Sequence, residues 1–470
     1  MLRTTRQRIL SLRAPRGAPP PPPNPALEGA GVPDLLRLAW PMAVSMLSYS
    51  LMTFVDTLFV SALGPAALAG VGLAGVAAFT FLTFGIGFAR GVKVATAQAL
   101  GAGRSPLAYL GGGLVIALGL GGLVAGLSPW LSDLVSSLAS SAESGVQAHD
   151  YLAIRLAGAA FALVFSVLRE YRYGLGDSRL PMVAALAANA VNIALDYTFI
   201  VVLKWGVAGA AWATIAAQVI EVVVVGAFQV REGLGFRDLR LAHVRVLARL
   251  GVPSGAEFTV QVSSFALMTV LIAGMGDAQM AAHQIMIQTI HFAFLPIVAI
   301  AEAGSVLVSN VVGAGRDDAV GRVTRSTLLV TGVYALGAMI LLPFLGGPLA
   351  FAFSATGPVA ETLMAMLWVA AAFQLPDAGY TVVRAVLRGT GDVKVPAWLG
   401  ILIAWCILPT TTWGLGYFLG WGAVAGWIAI LLEVSMGLVI LGERFRRGSW
   451  RPLAEASRAD IRAADATAIA

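Results

Sequence analysis

Runs of about twenty or more predominantly apolar residues recur along this chain, separated by short polar segments, as expected for helices crossing a bilayer core about 30 Å thick. Twelve such runs fall at approximately residues 35–62, 66–99, 107–136, 146–173, 180–203, 206–230, 245–274, 279–312, 319–352, 360–387, 393–418 and 420–442. Several are longer than a straight crossing needs, so their inner ends should project past the hydrocarbon. The pattern also repeats. Gly101-Ala102-Gly103-Arg104 returns as Gly313-Ala314-Gly315-Arg316, and the same displacement of 212 positions carries Leu38 to Leu250, Pro41 to Pro253 and Gly64 to Gly276. A second block, Arg169, Gly174, Gly176, Asp177 and Pro181, returns 215 positions later as Arg384, Gly389, Gly391, Asp392 and Pro396.

Duplicated apolar halves are characteristic of membrane transporters built from two repeats. Each repeat holds an even number of spans, so both enter the membrane from the same side. The predicted fold is an all-α polytopic membrane protein with twelve transmembrane helices in two six-helix lobes, related by a pseudo-twofold axis along the membrane normal. The expected organisation is a disordered cytoplasmic tail over residues 1–32, an N-terminal lobe over 33–230 and a cytoplasmic connector over 231–244. A C-terminal lobe over 245–445 and a cytoplasmic tail over 446–470 complete it. The proline run Pro19 to Pro23 supports the reading of the first segment.

Composition agrees: only 12% of residues are charged, against roughly 25% in soluble domains, and 58% are hydrophobic. Of the 31 Lys and Arg, most lie in the two tails or at junctions after even-numbered spans, whereas junctions after odd-numbered spans carry only Lys204. Excess Lys and Arg mark the cytoplasmic side. We therefore expect a multi-pass protein of the cytoplasmic (inner) membrane with both termini inside, and the net charge of +6 reflects this topology rather than a nucleic-acid partner. The single cysteine, Cys406, excludes an intrachain disulfide framework.

Chemistry is narrowed by what the chain lacks. None of Lys93, Lys204 and Lys394 sits in a phosphate-cradling loop, so no nucleotide is expected to be hydrolysed. There is no Gly-x-Ser-x-Gly elbow, and none of His149, His243, His283 or His291 begins a His-Glu-x-x-His metal site. Neither an enzyme, a metal centre nor a cofactor is expected. Transport driven by an ion gradient remains.

The informative residues are charges that a membrane interior disfavours by roughly 2.5–3.5 kcal/mol each on insertion scales: Asp56, Arg90, Arg155, Asp196, Glu221, Glu257, Glu302, Asp377 and Glu433. Counted inward from the outer ends of spans 1, 5 and 6 at about 1.5 Å per residue, Asp56, Asp196 and Thr214 lie at one level. Asn192 precedes Asp196 by one helical turn and shares its face. Two carboxyls in one low-dielectric pocket cannot both stay charged easily, so the pair can hold a proton. With the amide and hydroxyl oxygens added, the cluster also suits a hard cation. Independent hydrogen-bonded carboxyls that stabilise helix contacts are the alternative.

Trp40-Pro41-Met42 leading to Phe54-Val55-Asp56-Thr57, the two Gly-Ala-Gly-Arg loops, Asn192 to Asp196 followed by Gly206-Val207-Ala208-Gly209-Ala210-Ala211, and Ala282-His283-Gln284 resemble the multidrug and toxic compound extrusion (MATE) transporters over about residues 33–445. The resemblance implies an antiporter that exports organic, often cationic compounds in exchange for H⁺ or Na⁺, with Asp56, Asn192, Asp196 and Thr214 as the cation site. Phe373-Gln374-Leu375-Pro376-Asp377-Ala378, followed by Leu387-Arg388-Gly389, further resembles the NorM-like branch, in which the acid matching Asp377 contributes to a C-lobe site. In span 7 the chain departs from that branch: the expected acid position holds Gln261, and Glu257 lies one turn earlier. Glu257, Gln261 and Asp377 are therefore the candidate second site.

Adding 212 to Arg90 gives Glu302, so opposite charges occupy repeat-equivalent places near the inner ends of spans 2 and 8, and they are a candidate cytoplasmic gate. The bland reading is that each reaches the inner headgroups independently. His283 and His291 read as satisfied packing, Glu221 and Glu433 as structural partners of inner-surface arginines, and Arg155 has no partner that sequence can name. The expected partners are the lipid bilayer and a small organic substrate, with the chain working as a monomer. The alternative function is a flippase for a lipid-linked saccharide or cell-wall precursor, which would need a cleft rich in Arg and Lys. Only Arg90, Arg155 and Lys93 could furnish one.

Overall fold

The computed structural model describes residues 31–139 and 141–466; nearly all of the proposed N-terminal tail lies outside them. The helices of the first repeat are α1 Val32–Ser61, α2 Pro65–Gly101, α3 Leu107–Gly126, α4 Ser128–Ser136, α5 Ala142–Ala157, α6 Ala159–Gly174, α7 Arg179–Asp196 and α8 Gly206–Glu232. Those of the second are α9 Leu241–Ala273, α10 Asp277–Gly313, α11 Val320–Leu341, α12 Gly346–Ala352, α13 Pro358–Thr390, α14 Lys394–Trp413 and α15 Val424–Arg446, with α16 Arg451–Ala466 after them. Eleven spans are long and apolar enough to cross a membrane, and twelve if α5 and α6 count as one bent crossing. The chain divides into two compact units, one built mainly from residues 44–255 and the other from 256–459.

The duplication reaches down to helix ends. α2 and α10 are both 37 residues long and begin and end at repeat-equivalent positions. At about 1.5 Å per residue each runs about 55 Å, well beyond the hydrocarbon, as the long apolar runs predicted. α7 and α14 also start at equivalent positions, and each continues into a π-helical turn, Tyr197–Val202 and Gly414–Phe418.

The most strongly repeated motifs turn out to be helix terminators. Gly103 and Gly315 take φ of 69° and 74°, in the left-handed region open chiefly to glycine. In both loops the glycine N–H and the following arginine N–H bond back to the last helical turn, Gly103 to Leu100 and Arg104 to Ala99, then Gly315 to Val312 and Arg316 to Val311. This is the Schellman arrangement, which satisfies carbonyls that a helix end leaves open. Gly176-Asp177 and Gly391-Asp392 do the same for α6 and α13. Gly103→Ala and Gly315→Ala should each cost about 1–2 kcal/mol. A lowered apparent melting temperature in detergent with unchanged ion response would check this.

The run at 146–173 is not one straight helix: α5 and α6 meet at 49° around Gly158. A Cβ there would lie 2.7 Å from the Ile215 side chain, so the glycine lets α8 press into the bend. The connector carries a single turn of 3₁₀ helix, Phe236–Asp238. Beyond the last span, α16 is strongly amphipathic, and its Arg458 grips Asp317 through both terminal nitrogens at 2.9 and 3.3 Å.

In the first unit α2 packs on α5 and α6, α3 on α6, and α8 on α7, α5 and α6; in the second α13 is the hub, touching α10, α11 and α15, with α14 on α15. These contacts use small residues: a Cβ on Gly121 would fall 2.4 Å from the Ala160 Cα, an approach that only glycine allows.

Candidate functional site

In the first unit a group of polar side chains stands on the otherwise apolar helices α1, α7 and α8. Asn192 and Asp196 are fully buried on α7, and Thr214 is buried on α8. Asp56 is half-buried on α1. The Asp56 and Asp196 carboxyls adjoin one another, and no donor among the described residues bonds either oxygen of Asp196 or Oδ1 of Asp56. Both polar atoms of the Asn192 amide are likewise unbonded. The Thr214 hydroxyl donates to the Ala210 carbonyl at 2.9 Å, which leaves its oxygen lone pairs available. The π-helical turn begins immediately after Asp196, and such turns gather at functional sites. The structure thus holds Asp56 and Asp196 together and lines their helices with oxygen acceptors that lack donors.

Four further residues lie near these: Asn189, Gln218 and Tyr151 were not singled out from sequence, and Arg155 was noted there without a partner. Asn189 and Gln218 lie on the same helix faces as Asn192 and Thr214, one turn away, and each is 8% exposed with its side-chain oxygen unbonded. Helical spacing from Asn192 and Thr214 was the available signal. Arg155 and the buried Tyr151, a turn apart on α5, also face the pair: the charge of Arg155 acts on Asp56, and Tyr151 senses Arg155, Asp56 and Asp196. Nothing in the sequence signals this, because it depends on the α5 bend.

The second unit holds a different arrangement. Arg384 on α13 donates through Nη1 to Gln261 Oε1 at 3.2 Å, and the same nitrogen is 3.5 Å from Glu257 Oε1. Its guanidinium lies over the Tyr380 ring, 5.1 Å from the centroid. Asp377, two turns earlier on α13, accepts from Thr381 at 3.5 Å and stands within reach of the Arg384 charge, as does Glu433. Glu257 and Gln261 are therefore brought together, with Asp377 nearby, but around an arginine that the sequence reading had noted only as a repeat position.

Glu302 and Glu221 find partners within their own units. Glu302 accepts from Arg388 at 2.9 Å, with both side chains buried. Arg90 is half-buried on α2. Glu221 accepts from the Tyr49 hydroxyl at 2.9 Å beside Arg169, in line with its reading as an arginine's partner. His283 is fully buried and bonded through both nitrogens, to Thr269 and to the Trp427 N–H, at 3.2 Å each, as packing predicts. Among the described residues no cluster suited to a transition metal occurs.

The pattern of two repeated units with acids buried at helix faces has a counterpart among known families. The family model MatE matches residues 41–198 and again 253–411, once in each repeat. The chain belongs to the MatE family. As a MatE chain it is a multi-pass membrane protein with the two-lobed all-helical fold. It is 30% identical over 439 residues to the probable multidrug resistance protein NorM of Bradyrhizobium diazoefficiens, covering 88% of this chain and 92% of that one. It is 28% identical to the NorM protein of Pseudomonas syringae pv. tomato, covering 87% and 94%. Among solved structures it matches an outward-facing multidrug resistance MATE family transporter with a TM-score of 0.84 and 20% identity, over 92% of this chain and 99% of the other. A MATE structure in the bent conformation gives 0.83 at 21% identity, over 92% and 99%. At these identities the structural matches concern the MatE fold alone.

Proposed function

We propose that this MatE-family chain exports organic, cationic compounds across the cytoplasmic membrane in exchange for H⁺ or Na⁺ taken up at Asp56, Asn192, Asp196 and Thr214. The observation that carries the reading is the adjoining Asp56 and Asp196 carboxyls, with Asp196 fully buried and its oxygens lacking donors. A buried carboxyl without a donor is costly, and a cation or proton arriving from outside removes that cost. Coupling follows if the loaded pocket favours one lobe conformation and the bound substrate the other. The substrate class rests on the relatives, which are named as multidrug resistance proteins.

Arg155 does not choose between the two ions: a guanidinium beside Asp56 favours the bare carboxylate and opposes added positive charge whether it arrives as H⁺ or as Na⁺. Efflux of a dye cation from proteoliposomes under separately imposed pH and Na⁺ gradients tests the whole reading. Efflux that follows one gradient and not the other is expected, and it names the coupling ion. If neither gradient drives it, the antiport assignment is wrong.

The chain works, in this reading, as a monomer with both termini in the cytoplasm, using no nucleotide and no cofactor. Arg90 and Glu302 serve as a cytoplasmic gate, with Glu302 alternating between Arg388 and Arg90. Reversing either charge alone should stop transport; reversing both together with Arg388→Glu, which keeps an opposite charge beside position 302, should restore it. If that combination stays inactive while folded, the gate is removed.

A further inference from the structure

We infer that Arg384 is a resident cation of the C-terminal lobe: its guanidinium occupies the place where Glu257 and Gln261 would hold Na⁺, so this lobe takes up no inorganic coupling cation. The inference is independent of the assignment of Asp56 and Asp196.

The geometry is that of a built site. Arg384 Nη1 is shared between Gln261 Oε1 at 3.2 Å and Glu257 Oε1 at 3.5 Å, two of the oxygens that a hard cation would need. Glu257, Tyr380, Asp377 and Glu433 are 5%, 2%, 7% and 5% exposed, and they surround the half-buried Arg384 and Gln261. Two glycines make room for the group. A Cβ at Gly400 of α14 would lie 2.9 Å from Glu257 Oε1 and 3.5 Å from the Tyr380 hydroxyl, and one at Gly437 of α15 would lie 2.5 Å from the Tyr380 ring. The ring in turn holds the guanidinium on its face, an arrangement that suits arginine better than lysine.

The first unit supplies a comparison. By the displacement of 212 in the first spans and 215 in the later ones, Glu257, Gln261, Tyr380 and Arg384 correspond to Ser45, Tyr49, Phe165 and Arg169. There too the arginine lies over the aromatic ring one turn back, at 5.8 Å, and a glutamate, Glu221, is nearby. What the C-terminal lobe adds is the carboxyl of Glu257 in place of the Ser45 hydroxyl, and that added carboxyl is the one Arg384 meets. A second cation brought to the same oxygens would stand against a fixed guanidinium in a medium of low dielectric, where like charges a few ångströms apart repel strongly.

The test is saturable ²²Na⁺ binding to purified full-length protein carrying Asp56→Asn and Asp196→Asn, which silences the N-lobe acids. With Arg384 intact, no saturable ²²Na⁺ is expected. Arg384→Gln should bind Na⁺ on the order of 100-fold more tightly than its parent, and adding Glu257→Gln should abolish the gain. Arg384→Lys, which keeps the charge, should stay blank. Saturable ²²Na⁺ that persists with Arg384 present and disappears with Asp377→Asn would overturn the inference. So would a monodisperse, folded Arg384→Gln that binds none. If Arg384→Gln does not fold, the parent protein with and without Asp377→Asn still decides: blank binding supports the resident cation, and Asp377-dependent binding refutes it.

Discussion

Asp196→Asn should abolish gradient-driven efflux, lowering its initial rate by about 100-fold or more, the scale of losing a positioned proton carrier. The substitution changes one oxygen into an amide nitrogen of nearly the same size, in a pocket where the side chain is fully buried, so packing is preserved and only the capacity to take up a cation is lost. Asp56→Asn should act the same way, because the two carboxyls adjoin and neither holds the ion as well alone. The two defects should not add: the double variant should be no worse than either single one, since members of one unit fail together. Initial rates in proteoliposomes at matched protein density provide the measurement. Normal efflux in the Asp196→Asn variant would remove the N-lobe site from the mechanism. Defects that multiply would show two separate ion sites.

Glu302→Gln should lower folding stability by about 3–5 kcal/mol, as expected when one partner of a buried ion pair is removed. Arg388 is 4% exposed and its Nη2 donates to Glu302 at 2.9 Å; its Nε and Nη1 have no other hydrogen-bond partner among the described residues. Without the carboxylate, the guanidinium is stranded in apolar surroundings. Exchanging both for apolar residues of similar volume, Glu302→Leu with Arg388→Met, should recover most of the loss, because a buried pair contributes little net stability against good packing. Apparent melting temperature in detergent reads both. If Glu302→Gln melts like the parent, Arg388 is solvated or otherwise satisfied, and the pair has no structural weight. The double exchange also separates stability from the proposed gate, since it restores the fold while removing the Glu302 carboxylate.

The acids that matter were visible in the sequence because a charge inside an apolar run is conspicuous wherever it occurs. Asp56, Asn192, Asp196 and Thr214 could even be placed at one depth, since distance along a helix is proportional to residue count. Their neighbours were harder. Asn189 and Gln218 are polar but uncharged, and only the face they share with Asn192 and Thr214 marks them. Arg155 was conspicuous but had no nameable partner, because the bend at Gly158 sets where α5 points. Arg384 was noted as a repeat position, and its meeting with Glu257 and Gln261 depends on where the fold sets α13 relative to α9.

The sequence by itself determined the number of spans, the duplication and the short roster of intramembrane charges, because hydropathy and repeat spacing are properties of the chain in one dimension. It also carried the helix ends, since a glycine that must take positive φ, as at Gly103 and Gly315, acts within a few residues of itself. Tertiary structure alone decided which charge each charge meets: Arg388 for Glu302, Arg384 for Glu257, and Asp196 beside Asp56 with Arg155 facing Asp56. Such pairings depend on the rotation and bend of helices far apart in sequence. In a low-dielectric interior those small geometric choices separate a carboxyl free to take up an ion from one already satisfied by the protein itself.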